Sequence, residues 1–279
     1  MGATAMSRQW GQLVVAVAIV VANAGCVSLG GLRLDLSQPT VDHTPRHVIF
    51  FLDGAGGGGP IIDCGPVVEE GLRQGGFTGE FRSFRWHTGF GAVADEISSM
   101  AYKRGKARKL ARQISDLRAN NPTGRIDVVS ASAGTSVAVF ALEELPDNVA
   151  VDHLVMLSSA LSARYDLTWA MKHVRDRAFT FSSDGDELLR ALIPVLGSAD
   201  REYVGTAVAG LIGFAMPEKP SGDTHYHYSR LERIEWSSDM IDFDHRGGHT
   251  DYKNARFIAN VIAPRLGLGS ARQVAAGRN

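Results

Sequence analysis

The sequence has few cysteines, no excess of charge and no apolar run long enough to cross a membrane. Two cysteines in 279 residues, Cys26 and Cys64, exclude a fold held by several disulfides. The formal net charge of −1, from 29 basic and 30 acidic residues, gives no overall field for nucleic acid, so no nucleic-acid partner is expected. The whole chain is 44% hydrophobic, and it is long enough for one large globular domain.

The N-terminal segment is typical of a targeting signal. Arg8 precedes the apolar run Leu13–Ala22, and small residues lead to Cys26. At about ten residues, the run is too short to span a bilayer comfortably. The segment resembles a bacterial lipoprotein signal, in which Cys26 would become the lipidated first residue. Ala22-Asn23-Ala24 also fits simple cleavage and secretion, and an uncleaved anchor is a third possibility. We predict a signal peptide over residues 1–26, and a protein that is lipid-anchored in the bacterial envelope or secreted to the periplasm.

The rest of the chain reads as a tether, 27–46, followed by one α/β domain, 47–270. Apolar strands alternate with amphipathic helices and no repeat is evident, which predicts a mostly parallel twisted sheet with helices on both faces, in three layers. The run Val204–Met216 fits either core or a lid. Predicted strands are 47–52, 79–86, 125–129, 151–159, 177–182 and 231–236; predicted helices are 67–74, 103–120, 137–145, 167–174, 187–196 and 252–266.

One short motif suggests the chemistry. Ser132 follows a β-branched strand and precedes a helical stretch, with only small residues around it, from Ser130 to Gly134. This pattern predicts a nucleophile elbow, a strained turn that lifts a serine hydroxyl clear of the sheet at a helix N-terminus. The usual motif has glycine where this chain has Ser130.

Two further loops carry groups that could activate a serine. Asp184 and Asp186 follow a predicted strand, and His249 follows Gly247-Gly248 near the end of the chain. A serine needs a base to take its proton and an acid to orient that base. His245 is the alternative base, and either aspartate could instead cap the following helix.

With these motifs and the glycine-rich loop Gly54–Gly59, the chain resembles the α/β-hydrolase superfamily. The resemblance implies Ser132 as nucleophile, His249 as base and Asp186, in preference to Asp184, as acid. It also implies an oxyanion hole from the amides of Ala133 and Ala55, although Asp53 stands where the family usually has histidine. It implies no cofactor and no metal.

We therefore expect a serine hydrolase that cleaves a carboxylic ester or related acyl bond in a small-molecule or lipid substrate. His87 and Phe90 are candidates for lining the pocket or for packing. Buried Cys64 is expected to be inert. Three alternatives stay open: a dinucleotide-binding enzyme using the glycine loop, a metal hydrolase using His225, His227 and the run Asp242–His245, and a non-catalytic envelope protein that binds a lipid or partner.

Overall fold

The computed structural model describes residues 46–58 and 63–269, and the backbone of two short strands before them. The predicted signal peptide and Cys26 lie outside the described residues. Strands β1 (Val27–Leu29) and β2 (Leu32–Leu34) pair antiparallel within the stretch that the sequence suggested as a tether. They belong to one compact unit, Met1–Thr44, and everything below belongs to a second, Pro45–Asn279.

The second unit is built on a six-stranded sheet in which every neighbouring pair is parallel. The strand order is β4-β3-β5-β6-β7-β8. This confirms the predicted α/β class; the strand predicted at 79–86 is shorter than expected. The strands are β3 (His47–Leu52), β4 (Glu80–Ser83), β5 (Arg125–Ala131), β6 (Val151–Leu157), β7 (Val174–Ser182) and β8 (Leu231–Glu235).

Helices cover both faces of this sheet because its central strands are apolar on both sides. Along β3, Val48, Phe50 and Leu52 pack into one core, while Ile49 and Phe51 pack into the other. The helices are α1 (Gly65–Gln74), α2 (Ala92–Glu96), α3 (Met100–Asn120), α4 (Gly134–Glu143), α5 (Thr168–Lys172), α6 (Glu187–Leu196), α7 (Ala209–Ile212) and α8 (Gly222–Tyr228), followed by a 3-10 helix, Ser238–Phe243, and a C-terminal helix formed by Ala255–Phe257, the π-helical turn Ile258–Ile262 and Ala263–Arg265.

The strand order reverses between β3 and β5. From β3 the chain goes to β4 on one side, and then crosses to β5 on the other side and continues outward. The loops that leave the carboxyl ends of β3 and β5 therefore diverge, and open α/β sheets bind their ligands in the crevice formed at such a point.

Two segments bear on alternatives that the sequence left open. The middle of the apolar run Val204–Met216 packs into the core: Val208 and Phe214 are buried, and Gly210 N–H donates to the carbonyl of Ser159 at 2.7 Å, whereas Ile212 and Met216 are exposed. His225 and His227, which the sequence offered as metal ligands, lie in α8. Among the described residues, no helix has the length and apolarity to cross a membrane.

Candidate active site

Ser132 occupies the sharp turn that the sequence predicted. Its φ is +48°, in the left-handed region that residues other than glycine rarely adopt. Its N–H donates to the carbonyl of Leu157 on β6 at 2.8 Å, and its own carbonyl accepts from Thr135 Oγ1 at 2.6 Å. Gly134 is required here, because a Cβ at that position would lie 2.3 Å from the carbonyl oxygen of Asp53. The surrounding contacts thus fix a strained serine at the start of α4.

Ser130 replaces the usual glycine without disturbing the turn. Its side chain is fully buried, and its Oγ donates to the carbonyl of Val155 at 3.0 Å. The hydroxyl is therefore satisfied between the two adjacent strands.

The structure brings Ser132, His249 and Asp186 together. His249 Nε2 lies 3.0 Å from Ser132 Oγ, and His249 Nδ1 lies 2.7 Å from Asp186 Oδ2. Asp186 is fully buried, and its second oxygen accepts from the N–H of Leu189 at 3.0 Å, which caps α6. Asp186 therefore contacts His249 and caps α6 at the same time.

The other candidates for acid and base lie elsewhere. The side chain of Asp184 is exposed, and its backbone carbonyl accepts from Arg190. His245 is buried against the ring of Phe257, its Nδ1 accepts from the N–H of Gly247 at 3.1 Å, and burial lowers its pKa. Neither contacts Ser132.

The loop after β3 leaves one amide uncommitted beside Ser132. Gly54 N–H donates to Asp53 Oδ1 and Gly56 N–H to Asp95 Oδ2, each at 2.8 Å. The Ala55 amide between them has no acceptor among residues 46–58 and 63–269, and neither does the amide of Ala133. Two backbone donors next to a reactive serine are what a developing oxyanion needs.

Asp53 anchors the loop after β3. Its second oxygen accepts from Cys64 N–H at 2.9 Å, and its carbonyl accepts from Trp86 Nε1 at 2.8 Å. Burial, and then the charge of Asp53, raise the pKa of the Cys64 thiol to about 12, so the thiol stays protonated. Burial and the same aspartate raise the pKa of the Tyr252 hydroxyl, which borders the site. Asp53 thus anchors the loop through both its carboxylate and its backbone carbonyl.

Asp95 and His87 also anchor the loop after β3. Asp95 Oδ1 accepts from both the N–H and the hydroxyl of Thr88 at 2.6 Å, while its Oδ2 accepts from the loop. His87 Nε2 donates to the carbonyl of Gly54 at 2.8 Å. His87 therefore packs against the loop, whereas Phe90 is 88% exposed and neither lines the pocket nor packs.

A pocket of about 240 Å³, here called the serine pocket, opens beside Ser132 and His249. One wall is the apolar side of α6, and the opposite wall comes from α2 and the loop after β3. Its lining is mostly apolar; besides Ser132, His249 and Glu96, the polar residues Asp53, Thr250, Tyr252 and Lys253 also border it. The wall residues include Ala55, Ala92, Val93, Leu188, Leu189, Leu192, Ile193 and Leu196.

Sequence reasoning missed Asp95, Glu96 and Tyr252 as parts of this site. Asp95 and Glu96 lie in a five-residue helix that follows Gly89 and Gly91 and is too short to show a hydrophobic periodicity. Tyr252 follows His249 by three residues, and its position in the closing segment was the one available signal.

The residues that suggested a metal hydrolase do not converge. His227 Nδ1 contacts Arg230, and Asp244 forms an ion pair with Arg256 at 3.0 Å. Within the part of the chain that the structure describes, no three His, Cys, Asp or Glu side chains are grouped so as to hold a metal ion.

No protein-family model and no curated protein matches this sequence. Among solved structures, the chain is similar to a cutinase-like protein from Cryptococcus sp., at 15% identity and a TM-score of 0.42 over 81% of this chain and 96% of that one. It is similar to a predicted CIB-like hydrolase from Thermoplasma acidophilum, at 16% identity and a TM-score of 0.39 over 86% and 95%. An esterase from Pyrobaculum calidifontis matches at 13% identity and a TM-score of 0.36 over 82% and 75%.

The chain's own geometry defines its fold. A parallel sheet covered on both faces carries a strained serine after β5, an aspartate after β7 and a histidine after β8, in that order along the chain. This is the α/β-hydrolase fold.

Proposed function

We propose that this protein is a serine hydrolase that cleaves a carboxylic ester through an acyl-enzyme intermediate. One observation carries the proposal: a strained serine hydroxyl lies 3.0 Å from a histidine nitrogen, and the other ring nitrogen lies 2.7 Å from a buried aspartate. These distances suit proton transfer from the serine and orientation of the imidazole by the acid.

In the first step, Ser132 Oγ forms a bond to the acyl carbon of the ester while its proton moves to His249 Nε2. Asp186 accepts the Nδ1–H hydrogen bond, which keeps Nε2 available as the base and stabilises the imidazolium. The carbonyl oxygen becomes an oxyanion, and the amides of Ala55 and Ala133 are the donors for it. Such a donor contributes roughly 3 kcal/mol to lowering the barrier.

In the second step, the bond between the acyl carbon and the alcohol oxygen breaks, and the alcohol leaves with the proton from His249. Water then attacks the acyl carbon while its proton moves to His249. The bond between that carbon and Ser132 Oγ breaks, His249 returns the proton to Ser132 Oγ, and the carboxylic acid is released. No cofactor enters this sequence.

The lining of the serine pocket supports an apolar group on the substrate. Leu188, Leu192 and Ile193 of α6 face the reacting serine across a small volume. Burial of an acyl chain there would contribute about 0.8 kcal/mol per methylene. Esters with a short or medium apolar chain are therefore the proposed class.

A fluorophosphonate probe tests the proposal together with hydrolysis of p-nitrophenyl esters of increasing chain length. We expect covalent labelling at Ser132, ester turnover, and loss of both in Ser132→Ala. The rival proposal, a non-catalytic hydrolase-like protein, predicts neither labelling nor turnover in the folded wild-type chain. Full esterase activity in Ser132→Ala would place the reaction at another site.

A further inference from the structure

Glu96 is a buried acid in the serine pocket that the proposed reaction does not use. It is the last residue of α2, only 8% of it is exposed, and it borders the same pocket as Ser132 and His249. Its Oε1 is buried and has no hydrogen-bond partner among the described residues. A buried carboxyl oxygen without a partner destabilises the fold, so such a group calls for an explanation.

The neighbouring charged groups do not supply that partner. Lys103 is fully buried, but its Nζ donates to two backbone carbonyls, those of Glu96 at 2.9 Å and Ala199 at 2.8 Å. Lys103 therefore fixes the backbone of Glu96 and leaves the carboxyl to the pocket. The adjacent Asp95 is committed to Thr88 and Gly56.

The walls of the pocket do not supply a partner either. The lining includes the apolar residues Ala92, Val93 and Ile193, and its polar members Thr250, Tyr252 and Lys253 are not hydrogen-bond partners of Glu96 Oε1. A molecule that fills the pocket must therefore either satisfy Glu96 or bury it further without a partner. The second outcome would weaken binding of a purely apolar substrate.

We propose that the carboxyl of Glu96 binds a hydroxyl group of the substrate, so that the preferred ester carries one hydroxyl on an otherwise apolar group. This inference rests on the proposed function and narrows its substrate class. The hydroxyl lies on the acyl chain or on the alcohol, a few bonds from the ester carbonyl that Ser132 attacks.

The charges around Glu96 favour a hydroxyl over an ammonium group. Burial raises its pKa, although the charges of Lys103, His249 and Arg201 oppose that shift. A carboxyl with a raised pKa gains its protonated form, which can both donate to and accept from a hydroxyl. The cations Lys103 and Arg201 would also repel a second cation in the pocket.

The test compares two pairs of esters that differ by one hydroxyl. The first pair is p-nitrophenyl hexanoate and p-nitrophenyl ω-hydroxyhexanoate; the second is the ethyl ester and the hydroxyethyl ester of hexanoic acid. For each pair, the ratio of kcat/KM for the hydroxylated ester to that for the plain ester is measured. The proteins are the wild type, Glu96→Gln, which keeps hydrogen bonding, Glu96→Met, which removes it at similar length, and Asp116→Asn, a carboxyl control on the exposed face of α3.

We expect a wild-type ratio of at least about ten in one pair, a fall towards one in Glu96→Met, and retention of most of the preference in Glu96→Gln and Asp116→Asn. Glu96→Ala replaces the methionine variant if the latter does not fold. The inference is overturned if the wild type shows no preference in either pair, or if the apolar variant keeps the full preference. If the wild type is neither labelled by fluorophosphonate nor able to cleave any of the four esters, the proposed function itself fails and this inference falls with it.

Discussion

Two serines, Ser132 and Ser158, end neighbouring strands in nearly the same backbone conformation. Their φ values are +48° and +46°. Each N–H donates to the carbonyl of a residue on the next strand, Ser132 to Leu157 at 2.8 Å and Ser158 to Phe181 at 3.2 Å. A strained serine at the carboxyl edge of this sheet is therefore not by itself a sign of catalysis.

The surroundings of the two hydroxyls differ. Ser132 begins a turn into α4 and has the His249–Asp186 pair within hydrogen-bond distance. No helix begins directly after Ser158, and no hydrogen bond joins its Oγ to any residue in the part of the chain described here. Ser158 and His245 border a cavity of only about 10 Å³, too small for an ester. Reactivity is thus determined by the loop that brings the base and by the space for a substrate, and less by the turn.

Replacement of each serine by alanine gives the largest expected contrast. Under the proposed mechanism, Ser132→Ala removes the nucleophile and should lower kcat by a factor on the order of 10⁶. Ser158→Ala should stay within about threefold of the wild type, because no catalytic group contacts it. Steady-state hydrolysis of a p-nitrophenyl ester measures both, and circular dichroism checks that both fold. Equal losses in the two variants would contradict the distinction.

The two aspartates of the loop after β7 give the next contrast. Asp186→Asn removes the charge that orients His249 and should lower kcat by roughly 10⁴-fold. The melting temperature should change little, because asparagine can still cap α6.

Asp184→Asn is the matched control. It changes an exposed side chain in the same loop and should leave kcat within about threefold. A comparable loss of activity in Asp184→Asn would contradict the assignment of Asp186 as the acid.

The opposite edge of the same strands offers a contrast in stability. Asp127 on β5 is fully buried, and it accepts hydrogen bonds from His47 at 2.8 Å and from the N–H of His153 on β6 at 3.1 Å. Burial alone would raise the pKa of Asp127, but the hydrogen bonds from His153 and His47 and the charge of Arg125 outweigh it and lower the pKa.

Asp127→Asn should therefore reduce the free energy of unfolding by about 2 kcal/mol near neutral pH. A depressed pKa stabilises the fold above the unfolded-state pKa of about 3.9, and that stability is lost as the pH falls through the folded-state pKa. Urea titrations from pH 7 down to pH 3 should show the wild-type advantage shrinking at the acid end. If the difference in unfolding free energy between the wild type and Asp127→Asn grew as the pH fell, the pKa of Asp127 would be raised in the folded state, not lowered.

The smallest effect on stability is expected at Ser130, whose Oγ donates from β5 to a backbone carbonyl on β6. Ser130→Ala should lower the free energy of unfolding by about 1 kcal/mol through the lost hydrogen bond. Ser130→Gly should cost about 0.5–1 kcal/mol more through backbone entropy, although it restores the usual motif. Both should keep kcat within about threefold, since neither contacts the reacting atoms. If Ser130→Gly were more stable than the wild type, the Ser130 hydroxyl would not stabilise the fold.

The core of the fold and the meeting of Ser132, Asp186 and His249 could be predicted from sequence for local reasons. The strand His47–Leu52 is apolar at every position after its first residue because both faces are covered, and the small residues around Ser132 leave few alternatives to a tight turn. Asp186 and His249 follow strands, and parallel strands bring such loops to one edge.

The remaining features depend on contacts that are distant in sequence. Helix α2 is only five residues long, and Glu96 reaches the pocket because Lys103 and Asp95 hold its backbone and the neighbouring loop. The left-handed conformation of Ser158 is imposed on an ordinary serine by its neighbours, and the local sequence contains no glycine there that would indicate it. His245 and His249 are both close to glycines, and only the three-dimensional path of the loop separates them.

Asp186 has a consequence for redesign of the serine pocket. One of its oxygens orients the imidazole, and the other anchors the first turn of the helix that forms the pocket wall. Substitutions in the last turns of that helix, at Leu192 or Leu196, can reshape the serine pocket while the hydrogen bond from Asp186 to the first turn stays in place. Changes in its first turn, around Leu189, would displace the wall and the acid together, so that new selectivity gained there would come with altered turnover.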